Sequence, residues 1–343
     1  MKVRDAIART VGGEDLRADE AHGIMSLIMA GEATDAQMGG LLVALRVKGE
    51  TIDEIAGFAR AMQERSIRVE ASADPLVDVC GTGGDASGTF NISTTVAFVA
   101  AGAGLAVAKH GNRSVSSRCG SADVLEALGV DLRLRPGDVG RCIDQVGIGF
   151  LYAPTLHPAM KHAIGPRREL GIRTVFNLLG PLTNPARASV QLLGVYAPEL
   201  TETMVEVLHA LGSRSAFVVH GSGLDEFSTL GTNRVSRLAD GRVSTFDLEP
   251  ETLGFEPAGL ADLAGGDAVE NARILRSVLS GERGPKRDVV LLNAAAVLVA
   301  AGRAPDLAAG IEIAASSIDT GAALERLESL VTLSRRLGVA DDS

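Results

Sequence analysis

The chain has 343 residues, 46% of them hydrophobic and 22% charged, with three cysteines and a formal net charge of -10 at pH 7. This composition predicts a folded protein of one large domain or two smaller ones, and the acidic balance argues against nucleic acid or an anionic membrane as the main partner. No apolar run reaches bilayer length, the N-terminus has no signal-peptide core and the cysteines show no CxxC spacing, so we expect a reduced cytoplasmic protein that enters no membrane.

Residues 1–70 carry helical patterns and no side chain that suggests catalysis. Thr34 and Thr51 are each followed three residues later by Gln or Glu, which is the pattern of a capping box at a helix start. Apolar residues at helical spacing follow both boxes. We therefore predict a small α-helical domain over 1–70, followed by a linker at 71–75.

Residues 75–343 change to short apolar strands that alternate with helices, which predicts a large α/β domain. Residues 226–247 contain tight turns such as Asp240-Gly241 and predict antiparallel hairpins. The fold class is thus a small helical domain plus a large α/β domain with a mixed, mainly parallel central sheet. The predicted strands are 76–80, 105–109, 148–152, 189–196, 215–220, 226–230, 234–238 and 242–247. The predicted helices are 92–102, 121–128, 137–146, 200–212, 267–280 and 288–301, with two more at the end.

A glycine loop, residues 81–85 (Gly-Thr-Gly-Gly-Asp), follows the first predicted strand and precedes a predicted helix. Glycines let backbone N–H groups approach a ligand closely, and a helix start adds unpaired N–H groups and the positive end of the helix dipole. Asn91, Ser93 and Thr94 are cap-type residues that can add side-chain contacts. This order predicts an anion site.

Two known types of nucleotide-binding glycine loop are not fully matched by the sequence. Residues 81–86 fit the dinucleotide pattern, but that pattern needs an acidic residue about 20 positions later, and residues 101–106 contain none. A Walker A loop is not matched, because no Gly-Lys-Ser/Thr follows the glycines. On the glycines alone, a structural turn without a ligand remains open.

Positive charge collects after the second predicted strand, in Lys109-His110-Gly111-Asn112-Arg113. Since parallel strands end at one edge of a sheet, this run and the glycine loop should face one crevice. Residues 86–122 contain no acidic residue although the chain is acidic, which indicates a small polyanionic ligand. Residues 153–187, the crossing segment, are punctuated by prolines, and we expect them to be irregular and to add positive charge to a cleft between domains.

An acidic pair, Asp225-Glu226, follows the predicted strand 215–220. Such a pair is most often a solvated turn. Beside an anion-binding loop it is a candidate Mg²⁺ site, since magnesium takes a few carboxylates together with waters and ligand phosphates. No His or Cys cluster has the spacing of metal ligands.

Together these motifs resemble the anthranilate phosphoribosyltransferase family of tryptophan biosynthesis. The resemblance runs in the family's order over nearly the whole chain, including the helical N-terminal part. The segments that carry it are 81–85, 91–94, 109–114, 119–123, 157–161, 176–185 and 224–226. The family position at 119 is often Ser and is Cys119 here, a small residue in either case.

The resemblance implies the nucleoside phosphorylase/phosphoribosyltransferase type of fold, with the site between the two domains. The implied reaction transfers the phosphoribosyl group of 5-phosphoribosyl 1-diphosphate (PRPP) to the amino group of anthranilate, with Mg²⁺ as cofactor, as the second step from chorismate to tryptophan. Family members commonly form homodimers through the helical domain, so residues 1–70, joined by part of 165–187, are the expected interface. An association with a glutamine amidotransferase or anthranilate synthase partner stays open.

The resemblance also implies a role for individual residues. The PRPP-binding residues are Gly81, Thr82, Gly83, Gly84, Asp85, Thr89, Asn91, Ser93, Thr94, Lys109 and Ser121. The anthranilate-binding residues are Gly81, His110, Asn112 and Arg167, with Arg168 as the alternative to Arg167. The metal-binding residues are Ser93, Asp225 and Glu226.

Two other functions stay open on the sequence. A pyrimidine nucleoside phosphorylase of the same fold would use a nucleoside and inorganic phosphate, but the run at 109–113 and the region of Arg167 favour anthranilate. A non-catalytic homologue that binds nucleic acid should have a basic surface and incomplete motifs, whereas this chain is acidic and its motifs are complete.

Overall fold

The computed structural model describes residues 1–114 and 118–339 of the chain, so residues 115–117 and 340–343 of the predicted large domain lie outside the described residues. A helical N-terminal part is followed by a seven-stranded sheet covered by helices. The strands are β1 (Leu76–Gly81), β2 (Ala106–Gly111), β3 (Ile148–Tyr152), β4 (Val190–Gly194), β5 (Ser215–Gly221), β6 (Asn233–Ala239) and β7 (Arg242–Leu248). The α-helices are α1 (Val3–Val11), α2 (Ala18–Met29), α3 (Asp35–Lys48), α4 (Ile52–Glu64), α5 (Ile92–Gly102), α6 (Ser121–Leu128), α7 (Pro136–Val146), α8 (Ala153–Leu156), α9 (Lys161–Leu170), α10 (Phe176–Leu179), α11 (Leu200–Ala210), α12 (Ala268–Leu279), α13 (Pro285–Ala300), α14 (Leu307–Asp319) and α15 (Ala322–Val339).

Both predicted capping boxes are confirmed. The Gln37 backbone N donates to Thr34 Oγ1 over 3.2 Å, and the Thr34 N donates back to Gln37 Oε1 over 3.1 Å. Thr51 and Glu54 form the same reciprocal pair at the start of α4. Each box satisfies two N–H groups that a helix start would otherwise leave without a partner, which fixes where α3 and α4 begin.

The sheet is mixed and mainly parallel, as predicted. Its strand order is β3-β2-β1-β4-β5-β6-β7, with parallel pairing from β3 to β5 and antiparallel pairing from β5 to β7. Gly81 pairs with Gly194 and Gly194 with Val219, so β1, β4 and β5 end at one edge. The Asp240-Gly241 turn joins β6 to β7 at the opposite edge, because Leu238 pairs with Ala216 near the start of β5.

Helices cover both faces of the sheet. Along β5, Phe217 and Val219 belong to one core with α5 and α12–α15, whereas Ala216 and Val218 belong to a second core with α2–α4 and α11. This alternation is the two-residue period of a strand buried on both faces. Of the described residues, no single helix is long and apolar enough to cross a bilayer, and only the bent pair α14–α15 reaches that length and composition jointly.

Two sequence predictions are wrong. No strand forms at 226–230, because the side-chain amide of Asn293 takes the place of a partner strand. The Phe227 backbone N donates to Asn293 Oδ1 over 3.0 Å, and Asn293 Nδ2 donates to the Phe227 carbonyl over 2.7 Å. The crossing segment is also less irregular than predicted, since it forms α8, α9 and α10 and α9 contains Pro166. Several of its apolar residues, including Ala163 and Phe176, pack in the core shared with α2–α4.

Candidate active site at the carboxyl edge of the sheet

The glycine loop is tied to the ends of two other strands. The Thr82 backbone N donates to the Gly194 carbonyl over 2.9 Å, and Gly83 N donates to Asp225 Oδ2 over 2.6 Å. Gly83 and Gly84 have φ angles of +68° and +82°, a region that glycine adopts without strain. The N–H groups of Gly84 and Asp85 donate to no acceptor in the described part of the chain. The loop therefore offers two free backbone donors to an anion.

The start of α5 lies beside the loop. Its N-cap residue, Asn91, accepts a hydrogen bond from Asn271 Nδ2 over 2.9 Å and donates to the Cys119 carbonyl over 3.3 Å. The buried Thr94 hydroxyl has no partner within the described residues. A helix start with such hydroxyls adds donors and a positive dipole end to the anion site.

Lys109 is the buried cation of the site. It is 3% exposed at the end of β2, and its Nζ donates to the Val79 carbonyl over 2.6 Å and to Ser93 Oγ over 3.4 Å. A lysine that far from water requires negative partners or hydrogen-bond acceptors. Burial raises the pKa values of Asp78 and Glu226, and the charge of Lys109 opposes that rise.

After β5, Glu226 is buried and Asp225 is half-buried, so the pair is not a fully solvated turn. Burial, followed by the charge of Asp85, raises the pKa of Asp225 to about 7. Burial and the charge of Asp225 raise the pKa of Glu226 well above its usual value, and Lys109 acts in the opposite direction. Because burial and neighbouring carboxylates disfavour the ionised forms of this pair, the charge of a divalent cation would favour them.

Glycines at two strand ends make room for this acidic pair. A Cβ added to Gly81 would lie 2.3 Å from Asp225 Oδ2, and one added to Gly194 would lie 1.5 Å from the Asp225 carbonyl oxygen. Any larger residue would push the acidic pair away from the glycine loop. The approach of the two strand ends to Asp225 thus depends on these glycines.

The predicted acceptor residues come from three parts of the chain: Gly81 ends β1, His110 lies on β2 and Asn112 follows it, and Arg167 lies on α9 in the crossing segment. The ring centroids of His110 and His157 are 5.1 Å apart. Burial lowers the pKa of His110 to about 3 and that of His157 to about 4, so both imidazoles are neutral at physiological pH. The Arg167 guanidinium lies 5.0 Å from the centroid of the Phe176 ring, and burial lowers its pKa. Arg168, the alternative, is exposed.

Other predicted residues are joined less directly. Ser121 Oγ donates to the Asn112 carbonyl over 3.3 Å, which connects the start of α6 to the end of β2. Thr89 forms an isolated bridge with Ala264, and its hydroxyl lies 3.3 Å from Ser87 Oγ. Within the described residues, no hydrogen bond joins Arg167 to His110 or Asn112. Within the described residues, a hydrogen bond therefore joins Ser121 to Asn112, whereas none joins Thr89 or Arg167 to another predicted site residue.

Sequence reasoning missed Asp78, which is fully buried within β1. Its Oδ1 accepts from the His110 backbone N over 3.2 Å, and its Oδ2 accepts from Asn184 Nδ2 over 2.8 Å. Asn184 Nδ2 also donates to the Ala108 carbonyl over 2.8 Å. An acid inside an otherwise apolar strand was the signal that could have marked it. Asp78 and Asn184 hold the end of β2, and with it Lys109 and His110.

The oxygen donors present suit magnesium better than a transition metal. Within residues 1–114 and 118–339, no group of three or more His, Cys, Asp and Glu side chains is arranged to hold a metal ion. Mg²⁺ is bound by one or two carboxylates together with waters and substrate phosphates. The acidic pair Asp225-Glu226 next to an anion-binding loop has that composition.

Comparisons with known proteins agree over nearly the whole chain. The model of the glycosyl transferase family, helical bundle domain, matches residues 4–66, and that of the glycosyl transferase family, a/b domain, matches residues 73–324. The chain is 60% identical to the anthranilate phosphoribosyltransferase of Moorella thermoacetica, over 95% of this chain and 96% of that protein. It is 58% identical to that of Symbiobacterium thermophilum, over 97% and 98%.

Solved structures show the same likeness. The crystal structure of anthranilate phosphoribosyltransferase from Thermus thermophilus has a TM-score of 0.93 and 48% identity, covering 96% of this chain and 99% of that one. The Saccharomyces cerevisiae enzyme in complex with PRPP and Mg has a TM-score of 0.89 and 32% identity, covering 97% and 98%.

Proposed function

Because the chain belongs to the anthranilate phosphoribosyltransferase family, we propose that it transfers the phosphoribosyl group of PRPP to the amino group of anthranilate at this edge of the sheet. The products are N-(5-phosphoribosyl)anthranilate and diphosphate. One observation supports the proposal beyond the likeness: the free N–H donors of the glycine loop lie next to the acidic pair Asp225-Glu226, and the Gly83–Asp225 hydrogen bond joins them. A diphosphate–magnesium group requires both.

The glycine loop and the start of α5 form the proposed PRPP site. The free N–H groups of Gly84 and Asp85 face no protein acceptor among the described residues, so they are available to phosphate oxygens. Lys109 adds a fixed positive charge. Departure of diphosphate leaves positive charge on the ribose, and donors held in advance stabilise the departing anion without reorganising. The remaining residues proposed to contact PRPP are Gly81, Thr82, Gly83, Thr89, Asn91, Ser93, Thr94 and Ser121.

Asp225, Glu226 and Ser93 are the residues proposed to hold Mg²⁺. The yeast enzyme has been solved with PRPP and Mg, which supports the same requirement here. The bound ion supplies charge stabilisation to the diphosphate. The protein's part is to hold the two carboxyl groups together beside the loop. Burial and neighbouring carboxylates raise both pKa values, so the positive charge of a bound cation would favour the ionised forms that coordinate it.

The acceptor site is proposed to consist of Gly81, His110, Asn112 and Arg167. The aromatic amine of anthranilate is neutral at pH 7, so the reaction needs no strong general base and rests mainly on positioning two anions together. Neutral His110 offers a hydrogen-bonding face without adding charge, and its buried Nε2 has no partner within the described residues. The planar fork of Arg167 can bind the anthranilate carboxylate through two parallel hydrogen bonds.

Arg167→Ala is expected to raise the KM for anthranilate about tenfold or more, because a charge-assisted bidentate contact is lost. The KM for PRPP should change by less than about twofold, since no described contact joins Arg167 to the glycine loop. Steady-state kinetics with each substrate varied in turn measure both values. Equal shifts in the two KM values would remove Arg167 from the acceptor site, and an anthranilate effect confined to Arg168→Ala would transfer the role to Arg168.

We also propose a homodimer through the helical part, as the family resemblance implies. Val43 and Val47 lie one turn apart on α3 and are 37% and 83% exposed, which is unusual for large apolar side chains on one helix face. Val47→Asp should shift the sedimentation of the protein from two chains toward one. Val269→Asp, at a 74% exposed position on α12, is the matched control. A native protein that sediments as a single chain would contradict the proposal.

Product analysis tests the proposed reaction against its nearest rival. Mass spectrometry should detect N-(5-phosphoribosyl)anthranilate and diphosphate in equal amounts. The comparisons favour this reaction over a pyrimidine nucleoside phosphorylase and over a non-catalytic nucleic-acid-binding protein. Release of free base from thymidine or uridine with phosphate, without the anthranilate product, would instead support the phosphorylase.

A further inference from the structure

We propose that Arg173 is a positioning residue that holds the PRPP-binding glycine loop in its working conformation. The inference rests on the proposed function, because it assigns the loop to PRPP. Arg173 lies in the crossing segment, between α9 and α10, six residues beyond Arg167. Arg173 is not among the site residues predicted from the sequence.

Arg173 and Tyr196 both form hydrogen bonds to the glycine loop. Arg173 Nη2 donates to the Gly84 carbonyl, and the Arg173 guanidinium carbon lies 4.3 Å from the centroid of the Tyr196 ring. Tyr196 follows β4, and its backbone N donates to Thr82 Oγ1 over 3.2 Å. The loop is thus held at Thr82 from the strand side and at Gly84 from the crossing segment, with the two holding residues stacked on each other.

The bond to the Gly84 carbonyl orients the next peptide group. In a planar trans peptide the C=O and N–H point in opposite directions. With the Gly84 carbonyl directed at Arg173, the Asp85 N–H is directed away from Arg173. That N–H is one of the two free donors of the loop among the described residues. Arg173 therefore determines where one of the proposed phosphate donors points.

The glycine loop requires a contact from outside to fix its conformation, because its own residues restrict its backbone little. Gly83 and Gly84 have positive φ angles and no side chains, so many other conformations are accessible to them. The backbone at Arg173 is anchored, since Val175 and Phe176, two and three residues after it, are buried in the core shared with α2–α4. Arg173 thus connects the core of the helical part of the protein to the glycine loop.

The test is the KM for PRPP in Arg173→Ala, compared with native protein that is first shown to be active. Loss of the Arg173–Gly84 hydrogen bond should raise the KM for PRPP about tenfold, the effect of one charge-assisted hydrogen bond, and leave the KM for anthranilate within about twofold. Arg173→Lys should recover part of the loss, because an ammonium can still donate to the Gly84 carbonyl. An inactive native protein would overturn the proposed function, whereas an active one with an unchanged PRPP KM in Arg173→Ala would overturn only this inference.

Tyr196→Leu separates positioning from a direct effect of charge on PRPP. The variant keeps Arg173 and its charge but removes the ring on which the guanidinium stacks, so positioning predicts a raised KM for PRPP here too. An unchanged KM in Tyr196→Leu beside a raised one in Arg173→Ala would overturn the positioning role. Arg242→Ala is the matched control, because Arg242 is exposed at the opposite edge of the sheet. If Arg173→Ala does not fold, Arg173→Lys and Tyr196→Leu decide the question.

Discussion

Replacing Asp225 and Glu226 together by Asn and Gln is expected to lower kcat/KM by more than about 100-fold, comparable to the loss of a preorganised electrostatic group in other enzymes. The amides keep the size and hydrogen-bonding outline of the carboxylates but carry no charge. The negative charge proposed to hold Mg²⁺ is thereby removed, while Gly83 N keeps an oxygen acceptor at position 225. Activity should also respond more weakly to added Mg²⁺, which a magnesium titration at saturating PRPP measures.

A matched acidic control shows whether the effect belongs to the site. Asp240 is exposed in the β6–β7 turn at the opposite edge of the sheet, with a φ of +51° that Asn also tolerates. Asp240→Asn should therefore have native kinetics. A double variant that is folded and has an unchanged magnesium titration would remove Asp225 and Glu226 from the proposed metal site.

Gly194→Ala is expected to abolish most of the activity and to destabilise the protein. The added Cβ would lie 1.5 Å from the Asp225 carbonyl oxygen and 2.2 Å from its carbon, so backbone rather than a flexible side chain must move. Gly194 also accepts the hydrogen bond from Thr82 that fixes the glycine loop. Displacement of the end of β4 should therefore disturb both the glycine loop and the acidic pair Asp225-Glu226. We expect it to lower the free energy of unfolding by about 1–3 kcal/mol.

The measurement combines kinetics with urea unfolding of the same preparation. Gly137→Ala is the control, since a Cβ there meets nothing within 4 Å and Gly137 lies in the first turn of α7. It should be neutral or up to about 1 kcal/mol stabilising, because alanine is the better helix former. Native activity in Gly194→Ala would mean that the close approach of β4 to Asp225 is not needed for catalysis.

The parts of the fold that follow from local chemistry were predictable. Thr34 and Thr51 mark helix starts because a capping box is made by residues three apart, and Asp240-Gly241 marks a hairpin because few dipeptides adopt its turn. The glycine loop and the acidic pair were found because each follows an apolar strand.

The features that depend on distant residues were not predictable. The backbone at Phe227 is bonded by Asn293, 66 residues away, so its strand-like composition was misleading. Asp78 was missed because its partners, His110 and Asn184, come from other elements. The hydrogen bond from Arg173 to Gly84 spans 89 residues and depends on how the crossing segment packs. In each case a side chain forms a hydrogen bond to a residue far away in the sequence. No local sequence pattern indicates such a contact.

The most direct test of the proposed reaction is the loss of anthranilate fluorescence when purified protein is mixed with anthranilate, PRPP and Mg²⁺. The proposed transfer predicts loss that requires all three components and the protein, and that stops when the limiting substrate is consumed. Folded protein that leaves the fluorescence unchanged with all three present would contradict the transfer of phosphoribose to anthranilate.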